Sequence, residues 1–263
     1  MRSVNDVILN LKQIIKIGHS DVRGCCILSN DKMVLVSHCI GEVIVVHKDG
    51  SRDYAINIRS GHPFDVTCID SNTIVVSVED RDNQIRIIDL NKRSITKQIN
   101  SKSTVWGITY NDGSLIYCSE NKGLIRIHLK DNSITPAVSC SLPPCSYVTT
   151  NGNNIYYTNN TIHKITCCDM NGKVQWEFGD TNVLVQPSGI TTDNNNNIDV
   201  VGLVSHNVVV ISPDGQSHKV LLSHRDGLCL PCGICCDRAS NQLLLINGRD
   251  NAGLLYDIST TSI

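Results

Sequence analysis

Cys229-Leu-Pro-Cys232-Gly-Ile-Cys235-Cys236 is the run in this sequence with the most obvious capacity for chemistry. Thiolates spaced as Cys-x-x-Cys can converge on one ion, so the spacing suits zinc or an iron–sulfur cluster. The same run also reads as a strand, in which Cys235 and Cys236 point to opposite faces and do not easily reach one metal. Similar pairs recur at Cys25-Cys26 and Cys167-Cys168. Thirteen cysteines is an odd count, and Asn10, Lys12, Gln13 and Lys16 interrupt any export-signal core near the start. The expectation is a cytoplasmic protein whose cysteines are free thiols serving as small apolar residues, with no metal and no cofactor. The nine histidines are scattered without the spacing of a zinc site or a catalytic triad.

The frame that must position these residues is a repeat of about 42 residues. Pro187-Ser-Gly-Ile-Thr-Thr-Asp193 recurs as Val22-Arg-Gly-Cys, Pro63-Phe-Asp-Val, Val105-Trp-Gly-Ile, Cys145-Ser-Tyr-Val and Pro231-Cys-Gly-Ile. One column therefore reads Gly24, Asp65, Gly107, Tyr147, Gly189 and Gly233. A period of this size, with short β-branched runs and turn residues between them, predicts an all-β fold: a six-bladed β-propeller of four-stranded blades. Blades start near 22, 63, 105, 145, 187 and 231, and residues 1–263 form one domain. Third strands are expected at Val43–Val46, Ile85–Ile88, Leu124–Ile127, Ile162–Ile165, Val208–Ile211 and Leu254–Tyr256. Turns such as Lys48-Asp-Gly50 and Pro213-Asp-Gly215 tolerate positive φ and close hairpins. The sixth unit runs out after Tyr256, one strand short. The segment Val7–Ile17 supplies the missing strand if it pairs into the last blade and hides its edge; a short amphipathic helix is the competing reading.

The repeat alignment weakens the metal reading of the cysteines, since Pro231-Cys-Gly-Ile-Cys-Cys-Asp237 superposes on Pro187-Ser-Gly-Ile-Thr-Thr-Asp193 and three cysteines merely replace Ser188, Thr191 and Thr192. It raises another candidate. The column before the glycines reads Arg23, Phe64, Trp106, Ser146, Ser188 and Cys232. It is expected to start each innermost strand and ring the mouth of the central channel. Arg23, Phe64 and Trp106, with Tyr147 one position on, would form an arginine–aromatic cluster of the kind that anchors a partner. Arg81, Lys122, His206, Arg225 and Arg249 sit on loops expected at the same end. A calcium-dependent hydrolase would need several carboxylates converging on the channel, and Asp65 is the one acid in the inner column.

The units Pro187–Asp193, Asn197–Val201 and Asn207–Gly215 resemble NHL repeats. Ile155-Tyr-Tyr-Thr and Ile165-Thr-Cys-Cys-Asp-Met-Asn-Gly-Lys-Val-Gln-Trp176 resemble the C-terminal propeller of invertebrate tripartite-motif (TRIM) proteins. The resemblance spans about Val7 to Ser259. It implies a protein-recognition module in a ubiquitin-ligase-like system, with innate immunity as the expected setting and no enzymatic activity in this chain, because a ligase's RING has no counterpart here. Single-stranded RNA binding, known among NHL propellers, is the alternative. A net charge of −2 and 18% charged residues favour neither DNA nor a membrane surface. A monomer with a protein partner is expected.

Overall fold

Runs of Val, Ile and Leu bounded by Asn, Asp and Gly turns fold into six antiparallel four-stranded sheets arranged as a β-propeller. The computed structural model describes residues 4–18, 21–79, 83–248 and 251–260. An N-terminal strand, β1 (Val7–Lys16), precedes the first complete blade. That blade is β2 (Val22–Ile27), β3 (Met33–Ser37), β4 (Glu42–Val46) and β5 (Arg52–Asn57). The second is β6 (His62–Cys68), β7 (Thr73–Glu79), β8 (Gln84–Asp89) and β9 (Ser94–Asn100). The third is β10 (Ile108–Asn111), β11 (Ser114–Ser119), β12 (Gly123–His128) and β13 (Ile134–Val138). The fourth is β14 (Val148–Thr150), β15 (Asn154–Asn159), β16 (Lys164–Asp169) and β17 (Val174–Phe178). The fifth is β18 (Pro187–Thr192), β19 (Ile198–Gly202), β20 (Asn207–Ile211) and β21 (His218–Leu222). The chain finishes with β22 (Pro231–Asp237), β23 (Gln242–Asn247) and β24 (Ala252–Thr260).

The sixth sheet has the order β1-β24-β23-β22, so the N-terminal strand completes the last blade. Its register runs from Val7 opposite Thr260 to Lys16 opposite Ala252, with a bulge between Leu11 and Gln13. The segment is a strand and not a helix because β24 offers it an unpaired edge, which a helix there would leave exposed. Two 3-10 turns, Val4–Asp6 and His224–Asp226, are the helical elements among the described residues.

The middle strands carry the core. Every residue of β3, β11, β19, β20 and β23 is buried, as expected for strands covered on both faces by neighbouring blades. The outermost strands alternate and face solvent on one side, which is why β13 tolerates Pro136. Two third-strand boundaries differ from the sequence reading. In the fourth blade, Ile162 is exposed in a turn and β16 starts at Lys164, so the buried pair Cys167-Cys168 takes the place expected for Ile162–Ile165. In the sixth, β24 runs well past Tyr256 because β1 pairs along its whole length.

Candidate functional site at the channel mouth

The glycine column has a steric reason. A Cβ on Gly24 would lie 2.7 Å from the Asp65 Cα, one on Gly189 3.0 Å from the Gly233 Cα, and one on Gly233 2.5 Å from the Arg23 carbonyl oxygen. A Cβ on Gly107 would collide with the Tyr147 Cα. Adjacent inner strands therefore approach so closely that this ring admits side chains at only two of its six positions, Asp65 and Tyr147.

Those two side chains shape the throat. Tyr147 reaches from the fourth blade to the first, where its hydroxyl donates to the Arg23 carbonyl oxygen at 3.2 Å. Phe64 packs on Tyr147 with ring centroids 4.9 Å apart and meets Trp106 edge-on at 5.1 Å. The structure thus brings Phe64, Trp106 and Tyr147 together, as a plug and not as exposed anchors: Phe64 is 1%, Tyr147 4% and Trp106 7% exposed. Asp65 uses both carboxylate oxygens internally, accepting from the Val66 N–H and, across to the third blade, from the Ile108 N–H, each at 2.9 Å. Burial pushes its carboxyl up to about 7 despite these two donors.

The column before the glycines is aimed by β-bulges. Pairing slips between Val22 and Gly24, Pro63 and Asp65, Pro187 and Ile190, and Pro231 and Ile234. A bulge leaves a residue out of the ladder and turns its side chain. In the third and fourth blades the inner strand begins only at Ile108 and Val148, so Trp106 and Ser146 lie in the loop ahead of it and not in its first position.

Arg23 is the half-exposed member of the column, and it belongs to a polar cluster. Its Nε lies 2.5 Å from Asp21 Oδ1. Asp21 Oδ2 lies 3.2 Å from His38 Nδ1 and accepts from the Cys39 thiol at 3.1 Å. His38 Nε2 contacts Glu79 Oε2 at 3.1 Å. His62 stacks on the His38 ring with centroids 4.9 Å apart and bonds the His38 carbonyl oxygen through Nδ1 at 3.0 Å. The backbone holds the cluster as well: Asp21 sits at φ +62, and its carbonyl accepts from the His38 N–H at 2.9 Å. Burial alone would raise the Asp21 carboxyl, but the Cys39 hydrogen bond, the Arg23 guanidinium and His38 outweigh it and hold it below the usual range. The bond to Asp21 in turn pushes the Cys39 thiol up. With both imidazole nitrogens against carboxylates and the thiol sharing Asp21 Oδ2 with His38 Nδ1, the cluster has no free base to make Cys39 a nucleophile.

The other sequence candidates are dispersed. Lys122 is exposed in the β11–β12 turn, and Arg225 is exposed in the 3-10 turn capped by Ser223. His206 accepts from the Leu230 N–H at 2.9 Å and lies against the His224 ring. Arg81 and Arg249 lie outside the described residues. The cysteines of the 229–236 run diverge. Cys232 Sγ contacts the Val22 carbonyl oxygen at 3.0 Å, while Cys235 packs against the core shared by the first two blades and Cys236 against the core shared by the last two. Beyond the plug, the channel widens into a cavity of about 220 Å³ lined by the later residues of the inner strands, Thr67, Thr109, Thr149 and Thr191 among them. There Cys68 Sγ stands 2.9 Å from Cys26 Sγ.

Sequence reasoning missed Asp21, His38 and Cys39. They come from the loop before β2 and the β3–β4 turn, and no fixed spacing marks such a pair of loops. The signal that could have found them is the alignment itself, which places the residues just before each inner strand beside the turns after each second strand.

No family model matches the chain, and no curated protein matches it. Among solved structures it is similar to a protein of unknown function from Bacteroides thetaiotaomicron VPI-5482, with a TM-score of 0.79 and 13% identity over 92% of this chain and 70% of that one. It is also similar to a streptogramin B lyase, with a TM-score of 0.64 and 17% identity over 99% of this chain and 90% of that one. At these identities the likeness establishes the propeller fold and nothing finer.

Proposed function

We propose that the chain is a non-catalytic recognition propeller whose protein partner docks on the end of the ring carrying Arg23, Glu79, Lys122 and Arg225. The observation that carries this reading is the plugged throat. Tyr147 bridges the ring to Arg23, with Phe64 and Trp106 packed behind it, so a ligand arriving at this end meets a rigid polar surface. Loops held by closed blades lose little conformational freedom when a partner docks, which favours binding. Arg23 remains the anchor of choice, since it is half-exposed and held in place by Asp21.

RNA recognition finds less support. Stacking needs ring faces open to bases, and the three mouth aromatics are buried. Phosphate binding needs several unpaired cations, and Arg23 is already paired with Asp21. Hydrolase chemistry also lacks support, because Asp65 spends both oxygens on backbone N–H groups. Likeness to a lyase in fold alone transfers no activity. Resemblance to TRIM propellers suggests substrate selection for a ubiquitin ligase, with the transfer chemistry carried outside these repeats.

The test is affinity capture from lysate, with and without ribonuclease, comparing the wild type with Arg23→Ala/Lys122→Glu/Arg225→Glu. Phe64 and Trp106 stay intact, since truncating either would empty the plug. Protein partners that survive ribonuclease and are lost from the variant support the reading. Recovery dominated by ribonuclease-sensitive RNA would overturn it, and partners retained by the variant would move the site elsewhere.

A further inference from the structure

We propose that Asp21, His38 and Cys39 form a binding site for a divalent transition-metal ion of the zinc class, with one coordination position open on the surface. Among the described residues, this is the one set of three His, Cys, Asp or Glu side chains whose ligand atoms all lie within 4.8 Å of one another. The donors are an imidazole nitrogen, a thiolate sulfur and a carboxylate oxygen. Nitrogen and sulfur together select zinc and its neighbours over calcium or magnesium, which take oxygen.

The spacing fits. Zinc bonds of about 2.0–2.1 Å to nitrogen or oxygen and about 2.3 Å to sulfur put tetrahedral ligand atoms roughly 3.3–3.6 Å apart. Asp21 Oδ2 stands 3.2 Å from His38 Nδ1 and 3.1 Å from Cys39 Sγ. Those two edges would open by a few tenths of an ångström around an ion, and the remaining edge, His38 Nδ1 to Cys39 Sγ, lies within 4.8 Å. His38 Nδ1 is buried beside Asp21 without an aligned hydrogen bond, as suits a nitrogen facing a metal position.

Two of the ligands, His38 and Asp21, already have an orienting partner on their far side. His38 Nε2 meets Glu79 Oε2 at 3.1 Å, the carboxylate–histidine arrangement that fixes a metal-binding imidazole's tautomer. Asp21 keeps Oδ1 on Arg23, which leaves Oδ2 for the ion. His62 stacked on His38 restrains the ring from turning. The charges also balance: a dication, one thiolate and one carboxylate sum to zero, and so do Arg23 and Glu79. On binding, the Cys39 S–H bond breaks, its proton passes to solvent, and the sulfur lone pair forms the metal bond. Cys39 is exposed, so the fourth position faces outward, where water or a partner's side chain can fill it. This inference does not depend on the identity of any partner.

Cobalt(II) titration of the purified, reduced protein tests it, because cobalt takes zinc's place and reports thiolate ligation by a charge-transfer band. The wild type should bind one equivalent with a thiolate band and tetrahedral visible bands, both abolished by excess zinc. Cys39→Ser should lose the thiolate band while keeping the metal-free Tm. Glu79→Gln should weaken cobalt binding by about 10- to 100-fold through its positioning of His38. Cys68→Ser, which alters the thiol pair at the far end of the channel, should leave the spectrum unchanged. Absence of the band in the wild type, its survival in Cys39→Ser, or its loss in Cys68→Ser would each overturn the site. The spectrum is read without any partner, so failure here and failure of the recognition reading are separate results.

Discussion

Ring closure by the N-terminal strand can be tested at two adjacent residues. Ile15 is 0% exposed and packs among Met33, Leu35, Val46, Leu244 and Leu255, at the seam between the last blade and the first. Ile14, its neighbour, is 57% exposed. In a strand paired to β24, successive side chains take opposite faces, so the same truncation should have opposite consequences. Ile15→Ala empties a packed site and should cost about 2–5 kcal/mol. At roughly 2–4 °C per kcal/mol for a domain of this size, Tm should fall on the order of 10 °C. Ile14→Ala should stay within about 0.5 kcal/mol of the wild type. Urea denaturation and thermal melts of both variants measure the difference. Equal and small effects would refute the closure, because a segment that does not pair into the ring gives neither isoleucine anything to lose.

Three further outcomes are expected. Asp65 should make the protein less stable as pH rises from about 4 to 7: the unfolded chain ionises near the usual carboxylate value, whereas the folded protein holds the proton up to about 7. The protonated form's advantage is fully present below the unfolded value and is gone above the folded one, about 4 kcal/mol at most for a shift of about three units. Relative to Asp65→Asn, the wild type should therefore lose stability between pH 4 and pH 8 in urea titrations; a constant difference would sink the assignment. Gly107→Ala drives a Cβ into the Tyr147 backbone and should cost about 3 kcal/mol or more, whereas a denaturation midpoint like the wild type's would show a looser throat. Tyr147→Phe removes the hydroxyl that bonds the Arg23 carbonyl and should cost about 1 kcal/mol in the same assay without opening the plug.

Much of the architecture was legible because it is local and repeated. β-Branched runs mark the second and third strands, Asp-Gly and Asn-Gly mark hairpins, and six copies of one pattern fix the blade count. The missing outer strand and the orphan segment at Val7–Ile17 also identified each other from the sequence. The fourth blade's third strand was misread because Ile162 is apolar yet sits in the turn, while the buried Cys167-Cys168 looks less strand-like than it is.

The site was much less legible. The sequence placed Arg23, Phe64, Trp106 and Tyr147 near one another, since equivalent positions of neighbouring blades must be neighbours in space. It did not say that three of them would be buried. That follows from the glycine column, which draws the inner strands so close that the large rings fill the throat. Nor could spacing reveal that Asp21, His38, Cys39 and Glu79 meet. They come from a loop, a turn and the end of β7; the bulge and the left-handed residue ahead of the inner strand recur in other blades, but the acid, the histidine and the thiol occur there together in one blade only. The sequence by itself determined the propeller and its closure, because hydrophobic period and turn chemistry act within each repeat. Which side chains face solvent, which plug the channel and which converge on one point was decided by the packing of blade against blade, where contacts a fraction of an ångström apart choose the outcome.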